Sequence, residues 1–176
     1  ADLYAEELKA EGGVISGEQF VDECQVESDL ELLLPATYVT GSSERMLLYR
    51  ELDSLTLDKD VEAFRNRLID RFGPVPSETE ELLRIVPLRR LAARLGAEKV
   101  FLKGGRMSLF FISNPESPYY QSQAFGKVIA YMMKYTRRCD LREQNTRRSM
   151  LVKDVKNVET AVGVLQEIVA MQVEEG

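Results

Sequence analysis

The chain has 176 residues, 44% of them hydrophobic and 30% charged, which is enough apolar material for one globular domain with an extension. It contains no histidine, and this excludes Ser-His-Asp and Cys-His nucleophile systems together with the commonest metal ligand. The net charge of −6 disfavours a free-standing nucleic-acid binder, since clustered Lys and Arg supply most phosphate contacts, and makes a protein surface the more natural partner.

The first part of the chain is predicted to be a short helix followed by a connector. Residues Asp2 to Ala10 favour a helix that Gly12-Gly13 ends. From Ser16 to Ser43, polar residues surround one apolar run, Leu32-Leu33-Leu34. The connector is therefore predicted to contain one strand, at that run.

Two amphipathic helices and a rigid corner come next. Apolar residues recur at spacings of three and four and predict helices from about Ser43 to Leu55 and from about Asp58 to Phe72. Gly73 suits the left-handed backbone conformation that ends a helix, while Pro74 and Pro76 prevent the helix from continuing.

The third helix is predicted to begin with a capping box and to break in its middle. Ser77 is followed three residues later by Glu80, which is the capping-box spacing. Pro87 removes a backbone donor inside the helical pattern, so a break or kink is expected there. A short second piece then runs from Leu88 to Leu95 and ends at Gly96.

The stretch from Lys99 to Ile112 is predicted to be a β-hairpin. A two-residue Gly104-Gly105 turn pairs Lys103 with Arg106. In this register the apolar side chains share one face: Val100 opposite Leu109, Leu102 opposite Met107, and Phe111.

The C-terminal part alternates helices with a second strand pair. A helix is expected from Ser117-Pro118, and two short strands are expected at Leu141 to Glu143 and Met150 to Val152. The apolar stripe that starts at Val158 predicts a last helix, capped by Asn157. Together the elements predict an α+β fold in which a helical corner precedes a small antiparallel sheet packed with helices.

Motifs for catalysis, cofactors or membranes are not evident. Neither glycine pair lies in a phosphate-binding loop, which needs Lys and then Ser or Thr after the closing glycine. Cys24 and Cys139 have no nearby Cys or His and are interpreted as reduced structural thiols. Since no apolar run approaches about 18 residues and no basic leader is present, a cytoplasmic protein without membrane contact is expected. An enzyme with paired carboxylates is the least favoured class of function.

Two groups of arginines remain as binding candidates. One lies in the third helix and comprises Arg84, Arg89, Arg90 and Arg94. The other frames the second strand pair and comprises Arg137, Arg138, Arg142, Arg147 and Arg148. Each group is either a solvated face balanced by Glu and Asp, or a patch that binds phosphate or an acidic partner. The alternative function is therefore a nucleic-acid or phosphate-binding module that uses the patch from Arg137 to Arg148.

The residues around the corner carry more information than their helical periodicity, because their identities can be compared with those of known families. It reads Leu68-Ile69-Asp70-Arg71-Phe72-Gly73-Pro74-Val75-Pro76 and is followed by Leu88-Arg89-Arg90-Leu91-Ala92. Upstream stand Leu33-Leu34-Pro35-Ala36-Thr37-Tyr38-Val39 and Glu44-Arg45-Met46-Leu47-Leu48-Tyr49-Arg50. From about residue 2 to about residue 171, the chain resembles the C-terminal domain of the bacterial transcription-repair coupling factor (Mfd) and the segment that joins this domain to the helicase motor.

The resemblance implies a domain division and a function. Residues 1–56 would be the end of the helicase motor and a linker, and residues 57–173 the regulatory C-terminal domain. The family's full-length protein uses ATP and Mg²⁺ to translocate on double-stranded DNA, releases stalled RNA polymerase and recruits nucleotide excision repair through UvrA. The resemblance implies that this domain works by binding, with no cofactor of its own, and that it masks the N-terminal UvrA-binding module in an autoinhibited state.

The resemblance also implies a partner-binding site at Arg67, Asp70 and Arg71. The family contacts its N-terminal module through carboxylates just before the Arg-Phe-Gly turn, and Asp70 matches one of them. At the other position, three residues earlier, the family has Glu and this chain has Arg67. That difference implies either the loss of one salt bridge or a partner of changed charge. From the residues alone, Asp70 is better explained by a surface ion pair with Arg67 or Arg71.

Overall fold

The structure, a computed structural model, describes residues 20–173 as an α+β fold. The helix predicted at Asp2 to Ala10, with its end at Gly12-Gly13, lies outside those residues. The α-helices are α1 (Ser42–Ser54), α2 (Asp58–Phe72), α3 (Ser77–Arg94), α4 (Gln123–Lys134) and α5 (Val158–Val169). The strands are β1 (Gln25–Ser28), β2 (Ala97–Lys103), β3 (Arg106–Phe111), β4 (Cys139–Gln144) and β5 (Arg147–Val152).

The corner after α2 forms where the sequence predicts it. The Gly73 amide donates the last helical bond of α2, to the Ile69 carbonyl at 2.9 Å. The φ angle of Gly73 is +89°, which has the predicted sign, but the left-handed helical conformation that was predicted does not form. Its ψ angle of −166° lies outside the left-handed helical region, in a part of the map that essentially only glycine occupies. The chain therefore turns abruptly here and does not wind through a left-handed cap.

Helix α3 runs through Pro87 without the predicted break. The residues before the proline pack toward α2, and Leu83 and Val86 belong to that cluster. The residues after it pack on the sheet, where Leu88 and Ala92 are fully buried. Burial on both sides offsets the one backbone bond that proline removes, and the prediction of two helices is wrong for that reason.

The capping box predicted at Ser77 and Glu80 is also wrong. The N-cap is Pro76, whose carbonyl accepts from the Glu80 amide at 2.9 Å, and Ser77 is already the first helical residue. The Glu80 carboxylate instead pairs with Arg65 of α2 at 2.7 Å. The Glu80 side chain, which the local pattern assigned to capping, thus forms an ion pair with a residue of another helix.

The sheet has the order β1-β2-β3-β5-β4. The β2–β3 hairpin has the predicted register, with Lys103 opposite Arg106. The prediction of a strand at Leu32 to Leu34 is wrong, because the connector's strand is β1, which pairs in parallel with β2. Leu34 is buried among the helices of the corner, so the apolar run packs against these helices and not in the sheet.

The C-terminal elements differ from the prediction at one point. Ser117 begins only a 3₁₀ helix, Pro118–Gln121, and α4 starts after Ser122, whose hydroxyl accepts from the Phe125 amide at 3.3 Å. Both strands of the second pair are present, and Asn157 caps α5 by accepting from the Thr160 amide at 2.7 Å.

Two apolar cores share helix α3. The larger lies between the inner face of the sheet and helices α3, α4 and α5. The smaller joins the loop residues Leu34 and Val39 to Leu52 of α1 and to α2 and α3. The division at residue 57 stays a prediction, but α1 and the loop before it depend on α2 and α3 for their burial. Between residues 20 and 173, no helix has the length and apolar character needed to span a membrane.

Candidate protein-interaction site

The three residues predicted to bind a partner lie in the last turns of α2. Arg67, Asp70 and Arg71 are all exposed. The turns that carry them are held in place by packing, because Phe64 and Leu68 of the same turns are each only 1% exposed. The charged residues therefore stand on a rigid helix end next to the corner.

Arg67 and Arg71 form ion pairs with α1. Arg67 pairs with Glu51 and Arg71 pairs with Glu44. The hydrogen bond to Glu51 raises the pKa of the Arg67 guanidinium above its ordinary value. The later glutamate of α1 pairs with the earlier arginine of α2, and the earlier glutamate with the later arginine, so the two helices run side by side in antiparallel directions. The guanidinium groups also lie over aromatic rings, 5.5 Å from the Phe64 centroid for Arg67 and 5.3 Å from the Phe72 centroid for Arg71.

Asp70 is left without a counter-ion among residues 20–173. The surface pair that the residues alone suggested, with Arg67 or Arg71, does not form, because both arginines turn toward α1. Asp70 lies between them in sequence and faces solvent. The helix end thus presents one uncompensated carboxylate beside two compensated arginines.

An open groove of about 420 Å³ lies between α1 and α2 at this position. Its apolar lining comes from one residue of α1 and three of α2: Leu48, Phe64, Leu68 and Phe72. Its charged rim is formed by Arg67, Asp70 and Arg71. An apolar floor with a polar rim is the arrangement by which protein surfaces hold a partner's anchoring side chain.

Tyr38 supports the corner from the loop before α1, a role that sequence reasoning missed. Its hydroxyl donates to the Gly73 carbonyl at 2.8 Å, and its ring centroid lies 5.6 Å from that of Phe72. Burial, reinforced by the Glu80 carboxylate, raises the pKa of Tyr38 above its ordinary value. The side chain therefore stays a neutral donor at neutral pH. No periodic or turn signal links residue 38 to residue 73, which only the tertiary fold brings together.

The arginine groups are largely paired with acidic residues of the same chain. In α3, Arg84 lies 3.0 Å from Glu81 and Arg90 lies 2.8 Å from Asp58. In the second strand pair, three arginines have carboxylate partners: Arg142 with Asp140, Arg147 with Glu98 and Arg148 with Glu143. This distribution favours the solvated, balanced face over a patch that binds nucleic acid.

The side chains that could supply metal or thiol chemistry are not arranged for it. Within residues 20–173, no group of three or more Cys, Asp or Glu side chains could hold a metal ion. Cys24 and Cys139 are free and buried. Burial raises the pKa of Cys24 to about 12, so its thiol stays protonated at neutral pH.

The comparison with known families decides the identity of the domain. A family model described as the TRCF domain matches residues 28–122, more than half of the chain. The chain belongs to the TRCF domain family. The matched range contains α1, α2, the corner and the groove, and the predicted resemblance to the C-terminal domain of transcription-repair coupling factor is confirmed.

Curated relatives agree with this family. The chain is 29% identical over 150 residues to the transcription-repair-coupling factor of Rickettsia bellii and 26% identical over 149 residues to that of Rickettsia typhi. Each alignment covers 82% of this chain but 13% of the relative. A protein of the same name from Staphylococcus epidermidis is 26% identical over 138 residues, which cover 73% of this chain and 12% of that protein. The TRCF chain therefore spans only a small part of the length of these relatives.

A solved structure shows the same fold. It is a crystal structure of the C-terminal domain of transcription-repair coupling factor, and it superposes with a TM-score of 0.64 at 17% sequence identity. The match covers 84% of this chain and 93% of that one. The α+β architecture described above is thus the fold of this domain.

Proposed function

We propose that this chain is the regulatory C-terminal domain of a transcription-repair coupling factor and that it masks the N-terminal UvrA-binding module of the same full-length protein. The observation that carries the proposal is Asp70, an exposed carboxylate without a counter-ion among residues 20–173, at the rim of an apolar groove. Such a surface is suited to binding a protein with a complementary cation. The domain's own task would be binding, while ATP-driven translocation on DNA and release of RNA polymerase would belong to the rest of the protein.

In this mechanism the domain holds the module closed through the end of α2. Asp70 would pair with an Arg of the module, and Arg67 and Arg71 would flank that contact. The α1–α2 ion pairs and the Tyr38 hydrogen bond to Gly73 keep the helix end in one geometry, so little ordering is required on docking. Release would follow when the motor engages polymerase, exposing the surface that recruits UvrA.

Charge variants of Asp70 in the full-length protein test this proposal. Asp70→Arg removes one ion pair and adds a like-charge contact, so it should increase UvrA binding more than Asp70→Asn does. Reversing the partner Arg to an acid should restore part of the closed state, as a double-mutant cycle would quantify. Glu116→Arg, an equal charge change on an exposed loop residue, is the matched control and should leave UvrA binding unchanged. If Asp70→Arg binds UvrA like the wild-type protein, Asp70 is not the masking contact.

A further inference from the structure

We propose that residues 11–19 of this chain dock in an open cleft on the outer face of the sheet, the face that carries Phe101 and Phe110. Apolar side chains of the segment would cover these two rings, and a carboxylate of the segment would pair with Arg147. A docked segment fixes the direction in which the chain enters the domain, so that movement of the preceding part is transmitted to the sheet. The inference does not depend on masking, because it concerns a different face of the domain.

The cleft lies beside the residues that lead into β1 and has a volume of about 760 Å³. Phe101 of β2 and Phe110 of β3 line it, and their rings meet edge to face with centroids 5.3 Å apart. Both rings are half-buried, and neither belongs to the two apolar cores. The neighbours of Phe101 in β2, Val100 and Leu102, are buried in the larger core, so Phe101 points to the opposite face. The two aromatic rings thus form an apolar surface that a further segment can cover.

Arg147 supplies a polar group at this cleft. Its Nη2 lies 3.0 Å from a carboxylate oxygen of Glu98, whereas its Nε is buried and has no hydrogen-bond partner among residues 20–173. The guanidinium carbon lies 5.8 Å from the centroid of the Phe110 ring, and the side chain is 36% exposed, so a rotation brings Nε to the cleft. A guanidinium presents its donors in a rigid fork and can bind a second carboxylate. A carboxylate placed beside Phe110 would therefore satisfy the unpaired donor.

The other charges at this face accept one further carboxylate but not a row of them. Lys99 and Lys103 share the carboxylate of Glu27, at 3.6 and 3.5 Å. Asp22 and Glu23 also line the cleft, and both are exposed, so water and salt weaken their repulsion of another acid. Nucleic acid would bring a phosphate with every nucleotide to this partly acidic surface, whereas a peptide can bring a single carboxylate to the unpaired donor. A peptide segment therefore fits the cleft better than nucleic acid does.

The chain reaches the domain at one wall of the cleft. Phe20 lines it, and the Phe20 ring is held against that of Tyr119, with centroids 5.5 Å apart. Ile15 precedes Phe20 by five residues, and extended backbone of that length spans about 17 Å. Because the distance across three adjacent strands is about 10 Å, Ile15 can reach Phe101 and Phe110.

The segment before Phe20 also has the side chains that the cleft requires. Its apolar residues are Val14 and Ile15, and its carboxylate nearest to Phe20 in sequence is Glu18. Val14 and Ile15 would cover the two rings, and Glu18 would bind the unpaired donor of Arg147. A segment of the same polypeptide is present at a high effective concentration, so two apolar side chains and one ion pair are sufficient for docking.

Disulfide trapping in the complete chain of 176 residues tests the docked position. Ile15→Cys would be combined with Ser108→Cys, which lies opposite Phe101 on the outer face. In the control, Ile15→Cys would be combined with Met133→Cys, which is 68% exposed on α4, a helix that packs on the inner face. A disulfide requires Cα atoms within about 7 Å, so mild oxidation should trap the first pair at least several-fold more than the control pair. The two native cysteines are buried and do not compete.

A charge reversal in the segment tests the ion pair. Glu18→Arg places a like charge beside Arg147 and should lower the trapping yield several-fold. Glu116→Arg, the same change on an exposed loop residue, should leave the yield unchanged. Ser149→Cys, which lies opposite Phe110, provides a second trapping position if the first one disturbs the fold.

The possible outcomes separate docking from its alternatives. Preferential trapping within one molecule, lowered by Glu18→Arg, supports the inference. Equal yields in the test and control pairs, a yield that Glu18→Arg leaves unchanged, or disulfides between two copies of the chain would overturn it. Neither experiment measures UvrA binding, so failure of this inference leaves the masking proposal standing, and failure of masking leaves this inference standing.

Discussion

Replacing Gly73 by valine tests how the corner is built. An added Cβ would meet no heavy atom within 4 Å, so the Cβ itself overlaps no other residue. The cost comes from the backbone, because φ of +89° with ψ of −166° is strained for any residue with a side chain. Strain of this kind costs about 1 to 3 kcal/mol. For a domain of this size, about 2 kcal/mol lowers the melting temperature by roughly 4 to 8 °C.

Thermal unfolding followed by circular dichroism or calorimetry measures this change, and a second glycine provides the control. Gly163 lies in the middle of α5 and also has no heavy atom within 4 Å of an added Cβ, but its φ is not positive. Gly163→Ala should therefore raise the free energy of unfolding by about 1 kcal/mol, since alanine is the better helix former. An unchanged melting temperature for Gly73→Val would show that the backbone at the corner is free to relax and that the account of the turn is wrong.

Three other predictions follow from buried groups and from charge. Gly96→Ala should destabilise the domain more than Gly73→Val does, because its Cβ would overlap the buried ring of Tyr119, and an equal melting temperature would contradict this. Cys24 should react with a thiol reagent at pH 8 at least about a hundredfold more slowly than a free cysteine, since burial raises its pKa to about 12 and leaves almost no thiolate. Reaction of the native protein at the rate of a free cysteine would refute this. The isolated chain should hydrolyse no ATP, because it lacks a phosphate-binding loop. It should bind DNA weakly at about 0.15 M salt, because three arginines of the second strand pair already have carboxylate partners. Sub-micromolar DNA binding would favour the arginine patch instead.

Local signals were sufficient wherever one short segment determines the structure. The Gly104-Gly105 pair sets the register of the hairpin, and Asn157 caps α5 with a bond to a residue three positions away. Gly73 and the prolines after it end α2 at the predicted residue. In each case the interacting atoms lie within a few residues of one another, so a single sequence is enough to identify them.

The incorrect predictions concern contacts between distant segments. β1 is a strand because the backbone of β2 is available to pair with it, and the polar sequence Gln25–Ser28 gives little apolar signal of its own. The capping role of Glu80 was lost to Arg65, which is fifteen residues away in sequence. Helix α3 tolerates Pro87 because two cores bury it, and the sequence pattern shows only the proline.

The charge balance around the three candidate residues could not be predicted from the sequence. The family resemblance pointed to Arg67, Asp70 and Arg71, which lie together at one groove, and their role in binding a partner stays a prediction. That Arg67 and Arg71 are neutralised by Glu51 and Glu44 depends on the antiparallel packing of α1 against α2, which no spacing in the sequence reveals. Of the three charged candidates, two thus have counter-ions on α1, and Asp70 has none among residues 20–173.

The affinity of the full-length protein for UvrA, with and without this domain, tests the masking role most directly. The truncation should remove everything from residue 20 onward, because β1, the loop before α1, and α1 itself are packed into the same cores as the rest of the domain. UvrA binding measured by surface plasmon resonance should be at least several-fold tighter for the truncated protein, because the N-terminal module is then exposed. An unchanged affinity for UvrA would contradict masking by this domain.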